Sequence, residues 1–210
     1  MRARQLIARY KRDYQRDPHQ FELTAHTTGG EPIRLRPLQA ADAHISAHDV
    51  TLLTKWRNQH RSSFLSDFEA TEDRTRHWLT AVAGPDASRI LFMVEMADGL
   101  PFGHVGLCNV DDTYGELDNI VRGGDGPRGA MLAAAGALCA WARSGLGLRR
   151  IGVRVMADNP AVGFYEKLGF RPVKDVALAY QGSAGEGRWM EIADRPAGAD
   201  RYLRYMEQAA

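Results

Sequence analysis

The chain has 210 residues, 44% of them hydrophobic and 25% charged, so it can bury one sizeable core, and we expect one compact domain. Its 27 lysines and arginines nearly balance 26 acidic residues, and the formal net charge of +1 gives no reason to expect a nucleic-acid or membrane-surface partner. Two isolated cysteines, Cys108 and Cys139, exclude a disulfide framework and a CxxC metal site, and we interpret them as buried thiols of a cytoplasmic protein.

The N-terminal third predicts helices around one hairpin. Leu6, Ile7 and Tyr10 have helical spacing among arginines, which indicates an amphipathic helix over roughly the first 16 residues. The segment FELTAHTTGGEPIRLRPL alternates on both sides of TTGG, which predicts a hairpin whose turn uses Gly29 and Gly30 for positive φ. A helical region is then expected to begin at QAADA. Two further helices follow in HDVTLLTKWRNQHR and FEATEDRTRHWLTAVAG, the second opening at Thr71.

The rest of the chain alternates mainly between strands and helices. RILFMVEM, FGHVGLCNV and GELDNIV predict three strands of an antiparallel meander. A glycine-rich loop, RGGDGPRG, precedes an alanine-rich helix at AMLAAAGALCAWARSGLG. The predicted elements that follow are a strand at RRIGVRVM, a short helix at AVGFYEKLG, strands at FRPVKDVALAY and RWMEI, and a polar C-terminal tail.

The stretch VRVMADNPAVGFYEKLGF combines a strand with an abrupt helix start. Asp158 or Asn159 can cap the exposed amides, and Pro160 needs no hydrogen-bond donor in the first turn. Gly169 then returns the chain to a strand. This strand, helix and strand unit places Tyr165 near the end of a sheet, where packing beside a neighbouring aromatic residue is the structural alternative to a chemical role.

This motif resembles one of the GCN5-related N-acetyltransferase (GNAT) family, in which a strand precedes N-P-A-x-x-F-Y-E-K-L-G-F. The resemblance runs from about Pro32 to Ile192 and includes IRLRPLQAADA, the meander and the glycine loop before the helix. It implies an α/β fold with a mixed, mostly antiparallel central sheet flanked by helices, and acetyl-CoA as acyl donor. It also implies that Asn159 lies beside coenzyme A and that Tyr165 protonates the departing thiolate, which is general-acid catalysis.

On this basis the chain divides into three parts. We expect an N-terminal helix and hairpin extension over residues 1–31, a GNAT-like acetyltransferase domain over residues 32–193, and a C-terminal tail over residues 194–210.

The loop before the alanine-rich helix carries a second resemblance. Family members have R-G-x-G-x-G/A, whose backbone amides and helix N-terminus bind the pyrophosphate of acetyl-CoA. Here Arg128 and Gly129 match, and Met131 stands where the middle glycine is usual. Exposed amides at a helix start still bind anions, although an ordinary flexible loop is the structural alternative. The residues expected to bind acetyl-CoA are Ile120, Val121, Arg122, Gly126, Arg128, Gly129, Ala130, Met131, Asn159 and Phe164.

Transfer to an amine requires removal of a proton from an ammonium group. The two-residue period of GELDNIV predicts two opposite strand faces, one with Glu116, Asp118 and Ile120 and the other with Leu117, Asn119 and Val121. We predict that Glu116 or Asp118 assists deprotonation, because GNAT enzymes often use a Glu on this strand; a solvent-facing strand end is the alternative. His104, with a pKa naturally near working pH, is a second candidate unless it is structural. No metal is expected, because the histidines lack ligand spacing.

The acceptor is predicted from KWRN and the later RHWL, which look like GNAT members acting on amino-sugars, including nucleotide-linked amino-sugars and aminoglycosides. Aromatic and arginine side chains there can stack on a sugar or base and pair with phosphate. The expected acceptor-binding residues are Trp56, Arg57, Arg61, Trp78 and His104. The alternative is that the tryptophans are buried stripes of two amphipathic helices and the arginines a solvated face.

We therefore expect an acetyl-CoA-dependent N-acetyltransferase acting on the primary amine of a small molecule, with an amino-sugar or nucleotide-linked amino-sugar as one acceptor class. The sequence leaves open whether the protein forms a homodimer. Two rival functions are N-acetylation of proteins or peptides, which requires an extended channel, and a non-catalytic acyl-CoA-binding module.

Overall fold

A computed structural model describes residues 2–39, 44–192, 199 and 201–208. The helices are α1 (Arg2–Asp13), α2 (Pro18–Phe21), α3 (Ala47–Gln59), α4 (Glu72–His77), α5 (Ala130–Ser144) and α6 (Ala161–Lys167), with a 3-10 turn at Arg61–Ser63 and a π-helical stretch at Trp78–Ala83. The strands are β1 (Leu23–His26), β2 (Pro32–Pro37), β3 (Ser66–Phe68), β4 (Ile90–Met96), β5 (Pro101–Cys108), β6 (Tyr114–Arg122), β7 (Arg150–Met156), β8 (Phe170–Ser183), β9 (Glu186–Glu191) and β10 (Arg201–Gln208). None of the helices within these ranges is long and apolar enough to cross a membrane.

The strands form one sheet in the order β1-β2-β4-β5-β6-β7-β10-β8-β9-β3. β6 and β7 pair in parallel, and the other recorded neighbours pair antiparallel. The predicted mixed, mostly antiparallel sheet flanked by helices is confirmed, as is the meander β4-β5-β6.

Apolar side chains cover both faces of the sheet. On one face, α1 and α5 contribute Ile7, Tyr10 and Leu138 to the larger core, and the Trp141 indole donates a hydrogen bond to the Tyr10 hydroxyl at 2.9 Å. On the other face, α3 and the π-helical stretch form a second core around Trp56. The amphipathic N-terminal helix therefore packs against the sheet and α5, as its apolar spacing requires.

The predicted hairpin and the predicted cap of α4 are present, although one of the two turn glycines differs from the prediction. The hairpin forms between β1 and β2, but Gly30 alone of the two turn glycines has positive φ, at 85°, so the prediction for Gly29 is wrong. Thr71 accepts a hydrogen bond from the Arg74 amide and caps α4. The helix start expected at QAADA falls mainly on residues 40–43, which lie outside the described ranges.

The prediction of a polar C-terminal tail is wrong over Arg201–Gln208. This segment is β10, which pairs with β7 on one side and β8 on the other. Leu203 and Met206 are its buried side chains, and the other residues are only half buried, so the apolar period is weak. Sheet pairing on both edges, and not apolar alternation, makes this segment a strand.

A β-bulge interrupts β6 next to β5. His104 pairs with Val121 and Gly106 pairs with Asp118, so the two residues Asn119 and Ile120 stand opposite the single Val105. Asn119 has φ of 52°, a left-handed conformation that asparagine tolerates better than most residues. The strand therefore does not keep the predicted two faces. Leu117 and Ile120 contact the same core, while Val121 belongs to the opposite one.

We expect the Met206→Ala substitution to lower the free energy of unfolding by roughly 2–5 kcal/mol, because it removes a buried side chain from the middle of the sheet. Met206 is 1% exposed and packs in the larger core. Urea unfolding followed by circular dichroism measures the change. The matched control is Val173→Ala on β8, which is 60% exposed and should change stability by less than about 0.5 kcal/mol. Equal stability of both variants would contradict a packed β10.

Candidate active site

The parallel pairing of β6 and β7 is recorded from Tyr114 and Arg150 to Leu117 and Val153, although both strands continue beyond it. A cavity of about 370 Å³ lies between the two continuations, and we call it the wedge cavity. Its walls include Cys108, Glu116, Leu117, Asp118, Asn119, Ile120, Val121, Arg122, Arg154, Val155, Met156, Asn159 and Tyr165.

A larger groove of about 1150 Å³ follows the first turn of α5 and one side of α6, and we call it the helix groove. Gly129 precedes α5 with φ of 81°, which a glycine adopts without strain. First-turn amides of a helix have no intrahelical carbonyl one turn earlier to bond. In α5 the Ala130 amide donates to the Pro127 carbonyl at 3.1 Å, which leaves the amides of Met131 and Leu132 available to an anion. Arg122, Arg128 and Lys167 add positive charge to the walls of this groove.

Tyr165 belongs to the walls of both cavities. It is 7% exposed and contacts the rings of Phe164 and Phe170 edge to face, which fixes the phenol in place. Burial, with a smaller contribution from the negative charge of Asp118, raises the pKa of the Tyr165 hydroxyl well above its usual value. The phenol is therefore protonated at neutral pH at the junction of the two cavities.

A third cavity of about 300 Å³ adjoins the wedge cavity, and Phe64, Ser66 and Asn119 belong to the walls of both. We call it the side chamber. Its other wall residues are Leu53, Arg57, Phe68, Ala70, Arg74, Thr75, Trp78, Arg89, Leu91 and His104. The three cavities thus follow one another from the start of α5 to the inner side of α3.

Most residues expected to bind acetyl-CoA line the first two cavities. Ile120, Arg122, Arg128, Gly129, Ala130, Met131 and Phe164 line the helix groove, and Val121 and Asn159 line the wedge cavity. The Asn159 side chain also accepts a hydrogen bond from the Ala161 amide at 2.8 Å, so it satisfies the first amide of α6 from the position before the N-cap, Pro160.

The structure explains why residue 126 is a glycine and why a methionine is accommodated at residue 131. Gly126 is not in the wall of either cavity; a Cβ there would lie 2.5 Å from the Phe102 ring, so its lack of a side chain permits close packing. The Met131 side chain packs toward the sheet, where a Cβ on Gly103 would lie 2.8 Å from its sulfur. Because this side chain turns inward, methionine leaves the first-turn amides of α5 uncovered.

The two predicted carboxylates lie in the wedge cavity, and each is held by an arginine. Glu116 accepts from Arg154 Nε at 2.8 Å and from the Tyr114 hydroxyl at 3.2 Å. Asp118 pairs with Arg89 and accepts from its neighbour Asn119 at 2.8 Å. The structure therefore brings both carboxylates to the cavity wall that also includes Tyr165.

The predicted acceptor residues separate into two groups. Arg57, Trp78 and His104 line the side chamber. Trp56 is 1% exposed in the second core, so the prediction that it stacks on an acceptor is wrong and the buried-stripe alternative holds for it. Arg61 instead bonds Asp67 at 2.5 Å and the Gly185 carbonyl at 2.8 Å, outside the chamber wall.

His104 does not have the pKa expected of a base. The ring is 4% exposed and stacks on Trp56 at 6.0 Å between centroids. Burial lowers the pKa of His104 to about 4, despite an opposing hydrogen bond that the ring donates to the backbone of Asn119. At neutral pH the imidazole is therefore uncharged.

Sequence patterns missed several residues of the site. Arg89 and Arg154 come from strands or their flanks, and only the folded sheet places them beside the two carboxylates. Phe64 and Phe68 belong to a short segment without clear periodicity. Cys108, predicted as a buried thiol, is buried and also lines the wedge cavity, where burial raises its pKa to about 12.

Comparison with known proteins agrees with this arrangement. The family model described as acetyltransferase (GNAT) domain matches residues 33–171. A spermidine N-acetyltransferase from Vibrio cholerae, solved with CoA and spermine, aligns with a TM-score of 0.64 at 17% identity, covering 83% of this chain and 94% of that chain. A GNAT-family acetyltransferase from Bacillus anthracis aligns with a TM-score of 0.61 at 15% identity, covering 90% and 98%. No curated protein matches the chain.

The fold and the succession of cavities define an acetyl-transferring enzyme that takes its acyl group from coenzyme A. The chain belongs to the GNAT acetyltransferase family, and it is an acetyl-CoA-dependent N-acetyltransferase.

We expect Gly129→Ala to weaken CoA binding by about tenfold, because a side chain at positive φ is strained and would displace the amides that we expect to bind the pyrophosphate. Met131→Leu conserves volume on the inward-facing side chain and should keep the affinity within about threefold. Calorimetric titration of each purified variant with CoA gives the two affinities. A large loss in Met131→Leu with none in Gly129→Ala would contradict the assigned roles.

Proposed function

We propose that the protein acetylates the primary amine of a small molecule, with an amino-sugar or nucleotide-linked amino-sugar as the acceptor class. The observation that carries this proposal is the position of Tyr165 at the junction of the helix groove and the wedge cavity. A thioester reaching from the groove into the wedge meets the phenol and both carboxylates there. The side chamber then leaves room for the acceptor.

The proposed reaction is direct transfer. The amine nitrogen attacks the thioester carbonyl carbon, a C–N bond forms, the C–S bond breaks, and the amine loses one proton. The sulfur leaves as a thiolate and takes the phenolic proton of Tyr165, which regains a proton from solvent. Because the sulfur gains negative charge only as the C–S bond breaks, a phenol in the wall of the same cavity would stabilise it by donating its proton.

We propose that Glu116 or Asp118 accepts the amine proton, directly or through one water. Both line the wedge cavity, where a thioester would lie, and both keep an arginine as a fixed partner. His104 is a weaker candidate, because it lines the side chamber and not the wedge cavity, where the thioester would lie.

The size of the side chamber supports a small acceptor over a peptide. About 300 Å³ is at the lower end of small-molecule sites. Its walls combine Trp78 and Phe68 with arginines, which suits a planar or ring-shaped body with polar substituents. The similarity to an enzyme named for spermidine acetylation also supports a small amine, although not a particular one. A cytoplasmic location remains a proposal that rests on two free, buried cysteines.

An unbiased screen tests the proposed activity. Free thiol release from acetyl-CoA is followed against amino-sugars, nucleotide-linked amino-sugars, polyamines and peptides. Turnover of amino-sugars supports the proposal, and selective turnover of peptides would replace it. CoA binding without turnover of any amine would favour the non-catalytic module.

With an acceptor from this screen, Tyr165→Phe should lower kcat by on the order of 10²-fold or more, because it removes only the proton donor. CoA affinity and the melting temperature should change little, since the ring and its packing remain. Stopped assays at saturating substrates, with a melting curve, separate the outcomes. Near-normal turnover would show that the phenol is not the acid.

The variants Glu116→Gln and Asp118→Asn distinguish the base from the other carboxylate. The variant that lacks the base should have a kcat at least about tenfold lower and a pH profile of kcat without its ascending limb. The other carboxylate, as a positioning residue beside its arginine, should change KM more than the profile. Unchanged rates and profiles in both variants would exclude both residues as the base.

A further inference from the structure

Three residues that line the side chamber each have one buried nitrogen without a hydrogen-bond partner: Arg57 Nη1, Arg89 Nε and His104 Nδ1. Buried polar groups are nearly always bonded, and an orphaned one destabilises the fold. Two of the three belong to charged guanidinium groups, for which this penalty is largest. Both guanidinium groups belong to the wall of one cavity, which indicates that a ligand supplies their missing acceptor atoms.

Arg57 is held rigidly with one side of its guanidinium group unused. The group lies 4.0 Å from the Phe64 ring centroid and 4.8 Å from that of Phe68, and Nη2 donates to the Ser66 carbonyl. Among the described residues no carboxylate forms an ion pair with Arg57; nearby Asp67 bonds Arg61 instead. Burial lowers the pKa of Arg57 to about 10, so it is still charged at neutral pH.

The charged residues of the side-chamber wall are all positively charged. Its charged residues are Arg57, Arg74 and Arg89, and no Asp or Glu belongs to this wall within the described part of the chain. Arg89 is neutralised by Asp118, which faces the wedge cavity, and Arg57 is not. A polyamine would bring further positive charge into this chamber, whereas an anion would compensate Arg57.

We propose that the side chamber binds an anionic group of the acceptor, a carboxylate or a phosphate, with Arg57 as its principal ligand. This inference rests on the proposed function, because it assumes that the amine of the same molecule reaches the wedge cavity. The residues shared by the two cavities orient the acceptor. Its amine would lie on the wedge-cavity side of Ser66 and Asn119, and its anionic group would lie in the side chamber beside Arg57. The aromatic side chains of Phe64 and Trp78 then contact the body between the two groups.

Arginine fits this role because its planar fork donates two parallel hydrogen bonds to carboxylate or phosphate oxygens. Here Nη1 of Arg57 and Nε of Arg89 are the guanidinium nitrogens without a partner among the described residues of this wall. Acceptors would accordingly be amino acids, amino-sugar acids or phosphorylated amino-sugars, and spermidine would be a poor substrate.

Binding to the full-length protein saturated with CoA tests the inference without requiring turnover. Two matched pairs of amines differ by the anion alone: 4-(aminomethyl)benzoate against benzylamine, and glucosamine 6-phosphate against glucosamine. Saturation with CoA keeps the phosphate probe out of the helix groove. We expect at least one anionic probe to bind about tenfold or more tightly than its neutral partner, and spermidine to bind weakly. The pair that shows the effect distinguishes a carboxylate from a phosphate.

Arg57→Gln should abolish this preference, with a loss of at least about tenfold for the anionic probe and less than about threefold for the neutral one. The matched control is Lys55→Gln, which removes an exposed cation from the same helix and should leave the preference intact. Equal binding within both pairs, or a preference that survives Arg57→Gln, would overturn the inference. Either result would leave the proposed transfer activity standing, which thiol release with neutral amines reports separately.

Discussion

The separation of β6 from β7 is the constraint on which the site depends. Pairing between the two parallel strands is recorded only as far as Leu117 and Val153, and directly beyond it the bulge at Asn119 changes the course of β6. One extra residue moves Val121 to the core under α3 and leaves Ile120 on the α5 side. The strand ends therefore diverge, and the space between them is the wedge cavity in which thioester and amine would meet.

Charge is distributed along the three cavities in a way that the chain's net charge of +1 hides. The helix groove carries Arg122 and Arg128 beside the amides of α5, which suits the phosphates of acetyl-CoA. The wedge cavity in the middle contains the two carboxylates that would receive the amine proton. The side chamber is cationic again, because Arg57 has no acidic partner there. Each end would thus bind an anion, while proton transfer takes place between them.

Sequence patterns predicted those parts of the molecule that depend on local signals. The meander, the capped α6 and the glycine before α5 follow from period, capping and backbone freedom, so their positions could be read directly. β10 could not, because Arg201–Gln208 becomes a strand through pairing on both edges while only Leu203 and Met206 are buried. The faces of β6 were predicted wrongly for the same reason, since a bulge depends on the partner strand. Arg57 was predicted to bind the acceptor, but the arginine partners of Glu116 and Asp118 are contacts between distant segments with no spacing to reveal them.

A crystal structure of the protein with CoA would show whether the sulfur reaches Tyr165. We predict the pyrophosphate on the first-turn amides of α5, the pantetheine arm between the separated ends of β6 and β7, and the sulfur within hydrogen-bonding distance of the Tyr165 hydroxyl. A thiol outside the wedge cavity, or a sulfur that Tyr165 cannot reach, would contradict it.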